Sequence, residues 1–332
     1  MCDALASAGH SLVLHGFHGS VWRRQRSEKI LSFYGTRSNF RLRLTPAPPS
    51  RAFKILISLL QGLMVARRKT DLVIARNLPA AFVVSLRSIP AVFEAHYEIR
   101  SDDWLGRFFF CSILKKPSFR GLVVISKSLR KRFQQDWALD SHQIVVLPDG
   151  ANSHRNAETT EEPSPRRLRV GYLGNLYPGK GAELILLIAK ECPDLDFHIV
   201  GGTADEVAHF RKQTSPLPNV FFVGAVAPSE TSQILRKFDI ALLPNQARVF
   251  VGRDNIDIGR WTSPLKLFEY MSAGIPVIAS DFPLWREIVE GNDCGICVDP
   301  LDSTAIGDAI TYLIEHPEAA QRMGKNARKA VE

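Results

Sequence analysis

The sequence predicts an α/β protein with two Rossmann-like, doubly wound parallel sheets. Short apolar runs alternate with amphipathic stretches along the chain, which is the pattern of βαβ units whose sheet is covered on both faces. This rhythm occurs on both sides of a segment, residues 152–167, that is rich in Glu, Thr, Pro and Ser. At 332 residues the chain is also too long for one ordinary domain of about 150 residues. We therefore predict a first domain at 1–151, a linker at 152–167 and a second domain at 168–332.

In the first half, the apolar runs predict strands and the amphipathic stretches predict helices. The predicted strands are 11–15, 71–76, 90–95, 121–125 and 143–147. The predicted helices are 52–68, 80–87 and 127–136. The segment 16–50 is long, basic and poor in periodicity, which predicts an excursion from the sheet of the kind that often carries function.

The second half repeats this alternation more regularly. The predicted strands are 168–173, 196–200, 219–223, 240–243, 276–279 and 295–298. The predicted helices are 182–190, 228–238, 264–272 and 303–315. In such doubly wound sheets the ligand crevice lies at the carboxyl ends of the strands, so functional residues are expected in the turns that follow them.

Charge and cysteine content narrow the class of protein. The chain has 42 Lys and Arg against 34 Asp and Glu, a formal net charge of +8, which favours an anionic partner. Five scattered cysteines are too few for a disulfide framework and indicate a reducing compartment. Cys294 and Cys297 lack a second ligand pair, so core cysteines are predicted rather than a zinc site.

The first residues and the longest apolar stretch give no sign of export or of a membrane span. Met1 is not followed by a basic segment and an apolar run. The apolar stretch 53–66 is interrupted by Gln61 and Gly62 and is shorter than the roughly 20 residues that span a bilayer. We predict a cytoplasmic protein, with peripheral contact at the inner membrane face as an alternative.

A glycine-rich turn follows the first predicted strand of the second half. The sequence from Gly174 to Gly181 reads Gly-Asn-Leu-Tyr-Pro-Gly-Lys-Gly and runs into a predicted helix. Backbone N–H groups and a helix N-terminus attract an anion, and Lys180 supplies a positive charge beside them. The spacing is neither the Walker pattern nor the dinucleotide Gly-x-Gly-x-x-Gly pattern. Two interpretations stay open, an anion cradle or simply a tight turn.

A second motif lies on the predicted helix 264–272. Pro264 suits the first turn of this helix, and Glu269 lies among apolar residues on it. A carboxylate in such surroundings is costly unless it meets hydroxyl groups or a cation. It therefore predicts either a diol ligand such as a ribose or a structural ion pair with Lys266, three residues earlier. Taken in isolation, the motif favours the ion pair.

Together the two motifs resemble the nucleotide-binding domain of the GT-B glycosyltransferases of family 4, also called glycosyl transferases group 1. The resemblance in the second half covers 174–181, 199–202, 219–224, 239–244, 263–280 and 287–289, in the family's order and spacing. In the first half it is looser and covers 71–77, 92–96, 124–129 and 146–150. The resemblance implies two Rossmann-like domains that face a cleft.

The resemblance also implies the location of a donor site. Lys180 matches the lysine that holds the donor diphosphate, and Glu269 matches the second glutamate of the Glu-x7-Glu motif, which binds the ribose hydroxyls. The other donor-binding residues that it implies are Gly174, Asn175, Gly179, Ser263, Pro264 and Lys266. His96 resembles the histidine of the first domain that faces the donor sugar, and we assign it as the catalytic residue. Its alternative role is that of an ordinary histidine at a strand end.

The activity that the resemblance implies is hexosyl transfer from a nucleotide-sugar to a glycan or lipid-linked acceptor. Retention at the anomeric carbon is expected, without a metal or other cofactor. Nucleic acid is not an expected partner, because the arginines of 16–50 lack the interleaved aromatic residues of a recognised module. The alternatives are a sugar-nucleotide epimerase of the same fold and a remnant that binds a nucleotide-sugar without catalysis.

Three departures from the family pattern favour the remnant. Trp261 replaces the first glutamate of the motif, and Asn175 stands where a phosphate-binding arginine is common. Arg253 or Arg260 is the predicted substitute for that arginine. Residues 1–10 resemble the end of the family's first helix, so the first strand of the sheet is expected to be missing and transfer by this chain to be weak.

The segment 51–69 predicts a contact with membranes. It is apolar inside and basic at both ends, with Arg51 at one end and Lys69 at the other. In the resembling family such surfaces of the first domain often meet anionic lipid. The alternative is a helix packed on the sheet, because the run is apolar on nearly all sides.

Overall fold

The computed structural model describes residues 1–19, 25, 27–36, 40–151, 166–213, 217–248, 250–251, 256–257 and 264–332. The chain divides into two compact units, Met1–Pro148 and Asp149–Glu332. Most of the predicted linker lies outside the described residues, so the predicted domain bounds stay a prediction.

The first unit alternates strands and helices as predicted. Its described strands are β1 (Val13–His18), β2 (Arg41–Pro46), β3 (Val73–Ala75), β4 (Ala91–Ala95), β5 (Phe119–Val124) and β6 (Ile144–Val146). Its described helices are α1 (Cys2–Ser7), α2 (Ser27–Phe33), α3 (Arg51–Ala66), α4 (Leu78–Leu86), α5 (Trp104–Leu114) and α6 (Lys127–Trp137). A short 3-10 helix, Ser141–Gln143, precedes β6.

The strands of the first unit form two parallel groups. In the described residues β1 pairs with β2, and a separate sheet has the order β3-β4-β5-β6. Phe110 of α5 joins the core by contacting Phe93 of β4 and Phe133 of α6, with ring centroids 5.8 and 5.6 Å away. The expectation of a missing first strand is not decided by these pairings and stays a prediction.

Two expectations for the first unit were incomplete. The segment 16–50 contains β2 and α2, although its periodicity is weak. β2 forms because it pairs with β1 along its whole length, from Arg41 opposite Val13 to Pro46 opposite His18. α5 was not predicted because its sequence, WLGRFFFCSIL, is apolar on several sides and gives little helical periodicity.

The second unit is a doubly wound domain. Its main sheet contains β7 (Arg169–Leu173), β8 (Asp196–Val200), β9 (Val220–Gly224), β10 (Ile240–Leu243), β13 (Val277–Ser280) and β14 (Gly295–Val298). A small antiparallel pair is formed by β11 (Phe250–Val251) and β12 (Ile256–Asp257). The described helices are α7 (Ala182–Glu191), α8 (Ala204–Gln213), α9 (Thr231–Leu235), α10 (Leu265–Ala273), α11 (Pro283–Val289), α12 (Ser303–Glu315) and α13 (Pro317–Val331). Of these helices, α8, α11 and α13 were not predicted.

The order of the main sheet is β14-β13-β10-β7-β8-β9, with all strands parallel. The chain moves outward from β7 to β9 and then returns to the other side of β7 at β10. In sheets of this order the direction in which successive strands are added reverses between the two central strands, β7 and β10, and ligands bind at their carboxyl ends. The prediction of an α/β fold with parallel sheets is therefore confirmed, and the crevice is expected after β7 and β10.

Among the described helices, none is both long enough and apolar enough to cross a bilayer.

Candidate functional site

The turn after β7 is held tightly by its glycines. Gly179 and Gly181 have φ angles of +89° and +80°, which residues with a Cβ rarely adopt. A Cβ on Gly181 would lie 2.0 Å from the carbonyl oxygen of Pro244, just after β10. The Gln246 N–H also donates to the Gly179 carbonyl at 2.8 Å. The turn is thus fixed at the carboxyl ends of β7 and β10, where the sheet order places a ligand crevice.

Lys180 lies in this turn, next to the N-terminus of α7. Its side chain is half-buried, and it has no ion pair with a carboxylate in the described part of the chain. Burial lowers the pKa of the Lys180 ammonium, and the positive charge of Lys266 lowers it further. A half-buried positive charge that pairs with no carboxylate of the described residues, beside a helix N-terminus, favours an anion.

Tyr270 anchors α10 beneath the same strand ends. The Leu173 N–H donates to the Tyr270 hydroxyl at 2.8 Å, and this hydroxyl donates to the Leu242 carbonyl at 3.3 Å. Complete burial raises the pKa of Tyr270 well above its usual value, so the hydroxyl stays neutral. Through this contact α10 is fixed to the ends of β7 and β10.

Glu269 precedes Tyr270 and forms an ion pair on the surface of α10. The Lys266 Nζ lies 2.9 Å from the Glu269 Oε2. The ion pair that the sequence left open therefore exists. Its side chains remain 36% and 25% exposed, so both stay accessible to a ligand. Within the described residues, Oε1 of Glu269 has no hydrogen-bond partner and is free to accept one.

Of the other predicted site residues, some lie within the described residues and some lie outside them. Gly174 follows β7, and its carbonyl would lie 1.8 Å from a Cβ placed on Gly201, so the backbones approach closely there. The exposed Asn175 accepts a hydrogen bond from Tyr172 at its carbonyl, at 2.6 Å. The buried Pro264 is the N-cap of α10. The predictions for Ser263, Arg253, Arg260 and Trp261 lie outside the described residues.

The first unit has a charged cluster at the carboxyl ends of β3 and β4. Glu94 Oε1 lies 2.6 Å from Arg76 Nη2 and 3.0 Å from His96 Nε2. Glu94 is 8% exposed, whereas the His96 ring is 28% exposed. Sequence reasoning identified His96 but assigned no role to Arg76 or Glu94. An acidic residue in the otherwise apolar strand β4 was the available signal for Glu94.

The Glu94 cluster is expected to stabilise the protein above acidic pH. Burial raises the pKa of Glu94, but hydrogen bonds from His96 and Arg76 outweigh burial and lower this pKa from 4.5 to about 2. A carboxyl whose pKa is lower in the folded state contributes stability above its unfolded pKa and loses it as the pH falls through the folded value. Glu94→Gln should therefore reduce the free energy of unfolding by about 3 kcal/mol at pH 7 and by little near pH 2.

This expectation is tested by urea unfolding of the two proteins at a series of pH values. Glu98→Gln removes one negative charge from a more exposed carboxylate on the same segment and is the matched control. Parallel loss of stability by wild type and Glu94→Gln between pH 5 and pH 2 would contradict the prediction.

The described residues contain no group of three or more His, Cys, Asp or Glu placed to hold a metal ion. Cys294 is buried, and burial raises its pKa to about 11. Burial likewise raises the pKa of the partly buried Cys297 to about 12. Both thiols are therefore protonated at neutral pH and act as packing residues.

A family model described as "Glycosyl transferases group 1" matches residues 155–330, which is more than half of the chain. The chain belongs to the group 1 glycosyl transferases. The matched region contains the turn with Lys180 and the helix with Glu269.

Curated relatives of this group 1 glycosyl transferase extend the similarity into the first unit. A phosphatidyl-myo-inositol mannosyltransferase of Mycobacterium leprae is 28% identical over 264 residues, covering 77% of this chain and 66% of the relative. Its Mycobacterium tuberculosis counterpart is 27% identical and covers 74% and 64%. The chain spans about two thirds or less of the length of these relatives.

Solved structures support the fold at lower identity. Sucrose-phosphate synthase from Thermosynechococcus elongatus has a TM-score of 0.70 at 19% identity, covering 99% of this chain and 86% of that one. Anabaena HepE, solved in complex with UDP and glucose, has a TM-score of 0.67 at 16% identity, covering 97% and 95%. The fold of this group 1 glycosyl transferase is accordingly of the GT-B type.

Proposed function

We propose that this protein transfers a hexosyl group from a nucleotide-sugar donor to a glycan or lipid-linked acceptor. The observation that carries the proposal is the half-buried Lys180. Its charge is not balanced by a carboxylate in the described chain, and it lies near Lys266, which pairs with Glu269. This set of groups fits the diphosphate and the ribose diol of a nucleoside diphosphate.

Each side chain has a defined role in the proposed reaction. Lys180 and the N-terminus of α7 bind the diphosphate and stabilise the negative charge that develops on it as the glycosidic bond breaks. The Oε1 of Glu269 accepts a hydrogen bond from a ribose hydroxyl. His96 is the catalytic residue of this proposal. We propose retention at the anomeric carbon, with these cationic groups replacing a metal ion in charge stabilisation.

Two known proteins support the choice of donor and acceptor classes. Anabaena HepE was solved with UDP and glucose, which favours a nucleotide-sugar donor here. The Mycobacterium leprae relative is named for mannosyl transfer to a phosphatidyl-inositol, which favours a lipid-linked acceptor.

A transfer assay tests the proposal. The full chain is incubated with UDP-, GDP- and ADP-linked hexoses and a lipid or glycan extract, and the glycosylated product is detected by mass spectrometry. Lys180→Ala is the inactive control, and EDTA tests the need for a metal. Product formation by wild type alone supports a transferase. Interconversion of donor sugars without transfer would indicate an epimerase, and nucleotide binding without either reaction would indicate a non-catalytic remnant.

The surface of α3 supports peripheral contact with an anionic membrane. Its fully buried residues are Ser58, Gln61 and Gly62, none of which has a large apolar side chain. Its outward face carries an apolar stripe whose side chains are between 43% and 56% exposed. The stripe consists of Phe53, Leu56, Leu60 and Met64. Globular helices normally bury their apolar face, so this arrangement favours an external apolar partner.

Positive charge beside the stripe points to an anionic bilayer as that partner. Arg67, Arg68 and Lys69 follow α3 and are exposed. A helix that presents an apolar stripe and basic residues binds at the interface of anionic membranes. We propose this contact as the place where a lipid-linked acceptor reaches the protein.

The double variant Leu56→Ser/Leu60→Ser is expected to bind phosphatidylglycerol vesicles about tenfold or more weakly. The reason is that two apolar side chains that would enter the bilayer are replaced by polar ones. Vesicle co-sedimentation at low and high salt measures the effect. Leu301→Ser changes an exposed leucine of the second unit and is the matched control. Equal binding to phosphatidylcholine and phosphatidylglycerol vesicles would contradict the anionic contact.

A further inference from the structure

We propose that Glu94 is a positioning residue that fixes the orientation of the His96 ring, with Nε2 turned to the carboxylate and Nδ1 turned outward. The inference rests on the proposed function, because that proposal gives His96 its role in the reaction. The contact itself is a property of the first unit and is testable without donor or acceptor.

Strand pairing places the three members of the cluster together. β4 is an interior strand, between β3 and β5. The parallel register sets Ala75 opposite Phe93, so the following residues, Arg76 and Glu94, emerge side by side at the sheet edge. His96 follows β4 directly, and its Nε2 reaches the Glu94 Oε1 at 3.0 Å. The Arg76–Glu94 and His96–Glu94 distances are therefore set by strand pairing and by backbone close to the strand ends, not by a long loop.

The carboxylate is buried more deeply than its two partners. Arg76 is 54% exposed and the His96 ring is 28% exposed, whereas the Glu94 side chain is 9% exposed. Glu94 Oε2 is fully buried and has no hydrogen-bond partner in the described part of the chain. A ligand in solvent therefore reaches the imidazole, and the carboxylate acts on that ligand only through His96.

The unsatisfied Oε2 also argues against a purely structural role. A buried carboxylate oxygen without a donor offsets part of the stability that the two hydrogen bonds on Oε1 contribute. A carboxylate placed here only for stability would be expected to have both oxygens paired. Glu94 instead places both of its hydrogen bonds on Oε1, toward the two accessible side chains.

The protonation state of Glu94 determines which ring nitrogen carries the proton. The pKa of Glu94 is lowered to about 2, so it is ionised at neutral pH and can only accept hydrogen bonds. The Nε2 of His96 must then carry the hydrogen that it shares with Oε1. In the neutral ring, Nδ1 is left with its lone pair and has no partner in the described residues. An outward acceptor of this kind suits a sugar hydroxyl.

NMR of the full chain labelled with 15N-histidine tests the contact. We expect one downfield, slowly exchanging N–H signal on an Nε2, lost in His96→Asn. Glu94→Gln should move it upfield and speed its exchange, since a neutral acceptor makes a weaker hydrogen bond than a carboxylate. Glu98→Gln, whose carboxylate pairs with Arg132, is the control and should leave the signal unchanged.

The wild-type spectrum alone is decisive if Glu94→Gln does not fold, which thermal unfolding will reveal. A His96 ring proton on Nδ1, or no protected ring N–H at all, would overturn the inference. So would a folded Glu94→Gln protein whose His96 signal matches that of wild type.

Kinetics separate this inference from the proposed function. Glu94→Gln is expected to lower kcat about tenfold with the donor KM nearly unchanged, the effect of weakening one charge-assisted hydrogen bond. Transfer lost in His96→Asn but retained in Glu94→Gln would overturn the positioning role. Transfer unaffected by His96→Asn would instead remove His96 from the proposed function, while the NMR result would still decide the contact.

Discussion

Lys180→Ala is expected to weaken the binding of a nucleoside diphosphate about 50-fold and to change nucleoside binding by less than about twofold. The half-buried ammonium has no carboxylate partner in the described residues, so a diphosphate neutralises it without breaking an existing ion pair. Lys266 remains near the site and retains part of the attraction. Calorimetry with UDP, GDP and ADP and their nucleosides measures both affinities.

Lys190→Ala provides the matched control for this variant. Lys190 lies in the last turn of α7, at the opposite end of the helix from Lys180, and is exposed. Its removal should leave both affinities unchanged. Equal losses of diphosphate and nucleoside affinity in Lys180→Ala would show that the lysine does not act on the phosphates.

Glu269→Gln is expected to weaken nucleoside binding about tenfold, because a carboxylate accepts ribose hydroxyls more strongly than a neutral amide does. The same variant releases Lys266 from its ion pair at 2.9 Å and increases the positive charge close to Lys180. Diphosphate binding should therefore fall less than nucleoside binding does. Lys180→Ala is expected to weaken diphosphate binding more than nucleoside binding, and Glu269→Gln the reverse. This difference distinguishes the phosphate-binding part of the donor site from its ribose-binding part.

The competing role for Glu269 is that of a structural ion pair only. In that case Glu269→Gln would lower the melting temperature and leave nucleoside affinity unchanged. Glu315→Gln, an exposed change at the end of α12, controls for the loss of one negative charge. Calorimetry and thermal unfolding on the same samples separate the two roles.

Sequence alone determined the architecture of the second unit closely. β8, β10 and β14 have the predicted bounds, and so does α12. Parallel strands buried on both faces are short apolar runs, and this local signal does not depend on what lies across the sheet. The turn with Lys180 and the helix with Glu269 were also identified from local features, the glycines that permit positive φ and the proline and glycine that bound a helix.

Elements with weak local signals were missed for a common reason. β2 is stabilised by its pairing with β1, and α5 by aromatic contacts through Phe110. Neither contact is visible in a short window of sequence. α13 was not predicted either. It packs against α10, which lies more than 40 residues earlier in the chain.

The candidate sites were decided by contacts between residues that the sequence separates. Tyr270 binds the backbone at Leu173, 97 residues away, and so fixes Glu269 near the glycine-rich turn. Arg76 meets Glu94 because parallel strands bring their carboxyl ends to one edge. Sequence thus determined which residue types stand at strand ends and helix starts, since these are local properties. Only the tertiary structure decided which of them share a hydrogen bond or a charge, because strand order and helix packing set those distances.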